Sequence, residues 1–375
     1  MANANQVALG RSNLSTGTGY GGATDKYALY LKLFSGEMFK GFQHETIARD
    51  LVTKRTLKNG KSLQFIYTGR MTSDFHTPGT PILGNSDKAP PVAEKTIVMD
   101  DLLISSAFVY DLDETLAHYE LRGEISKKIG YALAEKYDRL IFRSITRGAR
   151  SASPVSATNF VEPGGTQIRV GATTNDSDAY NATNLVNAFY DAAAAMDEKG
   201  VSGDGRCAVL NPRQYYSLIQ NVGSNGLVNR DVQGTALQGG NGVIEIAGIH
   251  IYKSMNIPFL GKYGVAYGGS TGEVSPGNLG DFIGPTPENA NATGGVNNDY
   301  GTNTELGTKS CGLIFQKEAA GVVEAIGPQV QVTNGDVSVI YQGDVILGRM
   351  AMGADYLNPA AAVELYVGTT APSAF

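Results

Sequence analysis

The chain has 375 residues and a formal net charge of −6, with 30 Lys and Arg against 36 Asp and Glu. Its length allows two to three domains and a large core, and the acidic balance argues against a basic nucleic-acid binder. Apolar residues at 42% exclude a disordered chain, while two cysteines and four histidines exclude a disulfide scaffold and leave little for a metal cluster.

The first 22 residues are small and polar, with no basic segment leading into an apolar stretch, and predict a flexible arm rather than a secretory leader. Thr24 or Asp25 can cap a helix beginning at Lys26, in which Tyr27, Tyr30, Leu31, Phe34, Met38 and Phe42 recur at three- and four-residue steps. Such a helix needs a surface to lie on, either its own core or a neighbouring subunit.

Ser62–Thr68 reads as a strand, as do Thr96–Met99 and the following Leu102–Tyr110. Between the first two, Arg70 to Lys95 carries Pro78, Pro81, Pro90 and Pro91 and little to bury. A long hairpin with Pro-blunted edges satisfies that pattern. From Tyr119 to Thr146 no proline intervenes, and Ile125, Ile129, Ala132, Leu133, Tyr137, Leu140, Ile141 and Ile145 keep a helical period. At 1.5 Å per residue this helix is on the order of 40 Å long, and Gly148 is its expected end.

Residues 151–180, rich in Ser, Thr, Gly and Asn, read as a linker or surface excursion. An α+β module follows: a helix over Asn181–Lys199, a strand over Arg206–Leu210, a helix opened by Pro212 and running to Ile219, and strands at 243–246, 249–252 and 265–267. Residues 268–310 hold ten Gly and three Pro and mark a surface insertion. Strands are expected again at Leu313–Gln316, Val322–Ile326 and Val337–Tyr341, then a helix over Val345–Ala354 and a last strand over Ala362–Val367. There is no internal repeat and no run of about eighteen apolar residues, so no membrane-spanning helix is expected.

The motifs that suggest chemistry lack their context. Gly17, Gly19 and Gly22 match a dinucleotide fingerprint but follow a polar tail instead of a strand. Gly268-Gly-Ser270-Thr-Gly272 matches a nucleophile elbow, but Pro276, Gly277 and Gly280 replace the required helix, and no His follows His250. Asp111, Asp113, Glu114 and His118 are the densest ligand cluster; a helix N-cap with a solvated Glu–His–Arg122 ladder accounts for them, and a hydrolase using Glu114 and His118 is the rival reading. Cys207 and Cys311 suit small buried hydrophobes. No catalytic, cofactor-binding or metal residue is assigned.

The elements in order resemble the major capsid proteins of tailed phages, the Hong-Kong-97-type fold. Residues narrow the resemblance to short-tailed phages of the podovirus, autographivirus-like kind. These are the run Asp25–Glu37; Gly60-Lys-Ser62, Gln64-Phe65, Gly69-Arg70 and Pro78-Gly79; Glu94-Lys95 with Ile97 and Asp100; Tyr110-Asp111, Glu114 and His118-Tyr119; Ala351-Met-Gly353; and Leu357, Pro359 and Ala362. The resemblance implies an α+β fold with an N-terminal arm (1–61), an extended hairpin loop (62–110), a peripheral domain with a spine helix (111–180), an axial domain with the insertion 268–310 (181–335) and a C-terminal return (336–375).

It also implies a non-enzymatic shell of hexamers and pentamers in the virion, assembled in the host bacterial cytoplasm around double-stranded DNA that it does not read. Scaffolding protein, a portal and a decoration or cement protein are the implied partners, with no cofactor and no membrane. An encapsulin-like compartment shell is the alternative. By the same resemblance Tyr27, Leu31, Phe34, Arg70, Phe75, His76, Asp87 and Lys88 are intersubunit contacts.

Overall fold

The fold is that of a computed structural model describing residues 47–69, 75–79, 92–99, 102–110, 121–157, 160–171, 176–220, 244–254, 256–257, 310–332, 342–367 and 371. The chain divides into two compact units, one containing Asp100–Glu135 and Glu324–Met352, the other Glu45–Met99, Lys136–Val323 and Gly353–Phe375.

Among the described residues the elements are α1 (Ala48–Leu51), β1 (Thr53–Thr56), β2 (Ser62–Thr68), β3 (Val92–Val98), β4 (Leu103–Tyr110), α2 (Leu121–Ala149), β5 (Ser156–Ala157), β6 (Phe160–Val161), β7 (Thr166–Arg169), α3 (Ala182–Glu198), β8 (Arg206–Leu210), α4 (Pro212–Gln220), β9 (Ile244–Ile246), β10 (Ile249–Lys253), β11 (Ser310–Gln316), β12 (Ala320–Val332), β13 (Gly343–Tyr356) and β14 (Ala362–Tyr366). This is the expected α+β content.

In the smaller unit β13 lies between β12 and β4 and pairs antiparallel with β4, Gly343 opposite Tyr110 through Met350 opposite Leu103. Ile129 and Leu133 of α2 press onto this sheet at Gly348, where a β-carbon would lie 2.9 Å from Leu133 and closer still to Ile129. Val345–Ala354 is therefore strand, not the helix expected. Ile346, Gly348, Met350 and Met352 are buried while Val345, Leu347, Arg349 and Ala351 are only partly so, a period of two that a short apolar run conceals.

The larger unit is built on a mixed six-stranded sheet of order β7-β14-β11-β8-β10-β9. Central β8 is buried at every position, as expected of a strand covered on both faces. α3 lays Leu185, Ala188, Phe189, Ala192 and Met196 on a core shared with Ala208, Leu210, Ile314, Val363 and Leu365. Its start is fixed by Asn181, whose Oδ1 accepts from the Thr183 N–H at 3.0 Å. Its end is fixed by Gly200 at φ 70°, with the Val201 N–H donating to Met196 O and the Gly200 N–H to Asp197 O. α4 opens with Asn211 and Gln214, each side chain accepting from the other's backbone N–H, around Pro212 at the first helical position.

Two further expectations are corrected. Residues 151–180 are not a linker: β7 is an edge strand paired parallel with β14, and Glu162, Val170, Asp178 and Ala179 are buried. Edge pairing uses backbone groups, so a polar composition does not forbid it. Gly148 does not end the long helix, which continues through Ala149. A β-carbon there would come within 2.8 Å of Tyr356 Cβ, so the residue is a close-packing glycine.

Gly130, in the interior of α2, is exposed, and a β-carbon there would meet nothing within 4 Å. Gly130→Ala is therefore expected to stabilise the unassembled chain by about 0.5–1 kcal/mol, through unfolded-state entropy and helix propensity. A urea titration checks it; no gain would mean that the position resists a straight helix.

Candidate assembly surface

β2 and β3 form a two-stranded antiparallel sheet separate from both larger sheets, with Ser62 opposite Val98, Phe65 opposite Lys95 and Thr68 opposite Val92. Alternation divides it into two faces. One carries Leu63, Phe65, Tyr67, Ala93, Lys95 and Ile97, all at least half-covered. The other carries Ile66, Val92 and Val98, exposed by 75%, 62% and 51%, each opposite a polar residue: Glu94, Thr68 and Ser62. An isolated hairpin is marginal in water, so the first face needs support and the second is unusual for a lone chain.

The support lies at the hairpin's foot. The Met99 N–H donates to Lys61 O at 2.8 Å, closing the two strands. Ile97 is fully buried; with Leu357 it packs so closely on Gly321 that a β-carbon there would lie 2.7 Å from Leu357 and 3.1 Å from Ile97. Lys95 Nζ pairs with Asp355 at 2.8 Å and sits 3.6 Å above the centre of the Tyr356 ring. Arg147 reaches the same carboxylate at 3.9 Å, too exposed to contribute much.

Of the predicted contact residues, Phe75 and His76 are described, both exposed in the segment between β2 and β3, ahead of a turn at Pro78 and Gly79. Tyr27, Leu31, Phe34, Arg70, Asp87 and Lys88 lie outside the described residues. So do the Asp111–His118 cluster, the two glycine motifs and the insertion up to Lys309.

Cys207 and Cys311 are buried free thiols. Desolvation pushes the Cys207 thiol up to about 12 and raises Cys311 as well, leaving neither ready to act as a nucleophile. Among the described residues no group of three or more His, Cys, Asp and Glu could hold a metal, and no helix is long and apolar enough to cross a membrane.

The two most deeply buried carboxylates among the described residues, Glu364 and Asp138, are not singled out by the sequence reading. Glu364 in β14 is fully buried and takes both the Nε of Arg150, at 2.7 Å, and its Nη2, with Gln167 Nε2 donating at 2.9 Å. This ties the chain just beyond α2 to two adjacent sheet strands. Asp138, in the middle of α2, accepts from the backbone at Ile47 and Ala48. The signals were present: a Glu inside an apolar strand, and an Asp on the same helical stripe as Ile141, Phe142 and Ile145.

Known proteins give this architecture a context. The Gp10A-like major capsid protein family model matches residues 64–366. The major capsid protein of Escherichia phage T7 is 25% identical over 356 residues, covering 92% of this chain and 94% of that protein. That of Enterobacteria phage T3 is 31% identical over 139 residues, 36% of this chain and 39% of the other. In the capsid structure of Cyanophage P-SCSP1u, a chain 32% identical superposes with a TM-score of 0.68 over 92% of this chain and 95% of that one. The mature capsid of bacteriophage PhiM1 shares the fold at 16% identity, with a TM-score of 0.61 over 91% and 93% of the two chains. With a model match over most of its length and a capsid chain this similar from end to end, the chain belongs to the Gp10A-like major capsid protein family.

Proposed function

We propose that copies of this chain interlock through the β2–β3 hairpin, laid across a neighbouring copy with Ile66, Val92 and Val98 as apolar contacts along its length. Family membership makes the chain a structural subunit of a phage head, self-assembling into a shell of hexamers and pentamers, and not an enzyme. The phage capsid relatives do not favour the compartment-shell alternative.

The observation that carries the proposal is the unequal pair of hairpin faces. Three exposed apolar side chains on one side of a two-stranded sheet gain from a partner, and burying what remains exposed of each contributes about 1–2 kcal/mol per copy. Phe75 and His76 extend the same contact, and Tyr27, Leu31, Phe34, Arg70, Asp87 and Lys88 complete it. In this reading residues 1–61 are the arm, 62–110 the extended loop, 111–180 the peripheral domain, 181–335 the axial domain and 336–375 the return. Scaffolding protein, a portal and a decoration protein join the shell, assembly takes place in the host cytoplasm, and double-stranded DNA is enclosed without sequence reading. A net charge of −6 is consistent with weak adsorption of that DNA.

Ile66→Lys tests the contact. On an exposed strand position the change leaves the folded chain within about 0.5 kcal/mol of its stability, since surface substitutions rarely do more. Repeated at every subunit contact, it is expected to reduce closed shells, counted by negative-stain microscopy, by about tenfold or more. Shell yield equal to that of the parent chain would remove this face from the contact.

A further inference from the structure

We propose that Asp138 is a positioning residue that fixes where α1 begins, the point at which the N-terminal segment joins the larger unit. The short helix α1 has Ile47 at its N-cap, a residue with no side-chain acceptor, and it makes no local cap bond. The first backbone N–H groups of a helix need acceptors, and a buried end without them is costly. Here they find one some ninety residues away. Asp138 Oδ2 accepts from the Ile47 N–H at 2.9 Å, and Oδ1 from the Ala48 N–H at 3.1 Å.

The carboxylate is only 1% exposed, and it is shared. Asn256 Nδ2 donates to Oδ2 at 3.3 Å, the Asn256 N–H donates to Ser254 Oγ at 3.1 Å, and the Ser254 N–H donates to Leu210 O at the end of β8, at 2.9 Å. One side chain therefore connects three segments: α1, the middle of α2, and the loop leaving β10 beside the central sheet strand. A charged acceptor makes stronger bonds to N–H groups than a neutral one, and burial strengthens them by lowering the local dielectric. The chain before Ile47 starts from a point set by the long helix, not by its own local sequence. That this departure point serves contact with a neighbouring copy rests on the function proposed above; the anchor does not.

Hydrogen exchange by mass spectrometry on the full-length, unassembled chain tests the anchor. Asp138→Asn removes the charge and turns one acceptor into a donor that faces N–H groups. Amides of residues 47–51 should then exchange about tenfold faster or more, with those of β8 unchanged. Adding Ile47→Asp, whose carboxylate at the N-cap accepts from the N–H groups of residues 49 and 50, should restore most of the protection lost at 49–51. Unchanged exchange at 47–51 in the single variant, or no recovery in the double, overturns the proposal. If Asp138→Asn alone does not fold, the double variant decides: a folded chain with 49–51 protected supports the anchor, and an unfolded one overturns it. Because the readout needs no assembly, its failure leaves the hairpin contact standing.

Discussion

Arg150→Met is expected to destabilise the chain by about 3–5 kcal/mol, the range seen when one partner of a buried ion pair is removed. The cause is what stays behind. Glu364 is fully buried in β14, with Leu313 and Gln167 as its neighbours across the strands on either side, and Gln167 Nε2 alone offers it only one neutral donor. The planar guanidinium satisfies both carboxylate oxygens at once, a geometry that a lysine at 150 would not reproduce. Replacing both residues, Arg150→Met with Glu364→Leu, should recover most of the loss, because no charge then remains in the core. Urea unfolding of the unassembled chains distinguishes the two cases. A loss below about 1 kcal/mol in the single variant would place the pair among solvated ones, against its burial.

That pair also shows which parts of the fold could be read in the sequence. α2, α3, α4, the β2–β3 hairpin and strand β8 each carry their own signal within a dozen or two residues: a helical stripe, Pro212 at a first helical turn, two strand-like runs flanking a Pro-rich segment. What could not be read depends on partners far along the chain. β13 looked helical because Ile346, Met350 and Ala354, four residues apart, fit either period, and only pairing with β4 and the pressure of Ile129 and Leu133 on Gly348 decide for a strand. β7 looked like a linker because its stability comes from backbone bonds to β14, almost two hundred residues later. Gly148 looked like a terminus because a glycine that admits a neighbouring Tyr356 and one that permits a left-handed turn are the same letter. The candidate contact surface divided the same way. The hairpin was legible, but the identity of its exposed face was not, since which face the body covers depends on Gly321, Leu357 and Asp355.

Gly353 is where the hairpin and the body meet most closely, and Gly353→Ala is expected to do more damage than its single methyl suggests. The residue is buried in β13; a β-carbon there would lie 3.1 Å from Met99 Cα and well inside contact distance of Val98 O. Both obstacles are backbone atoms at the foot of β3, so no rotamer change can relieve them, and overpacking of this kind typically costs about 1–3 kcal/mol. The strain is relieved most directly by displacement of the hairpin foot. Lys95 would then be drawn from Asp355 and the Tyr356 ring, which follow Gly353 by two and three residues. Exchange of the amides in β3 should therefore rise while those of β8 stay protected, and shell yield should fall further than the loss in stability alone would produce. Gly353→Ala with exchange in β3 unchanged would mean that β13 moves instead and the hairpin is held by its other anchors. A uniform loss of protection across β3 and β8 would assign the cost to the whole unit. The glycine that helped mark the closing segment of this family would on the expected result have a physical role, as the place where a strand must lie against the base of the hairpin proposed above as the contact between copies.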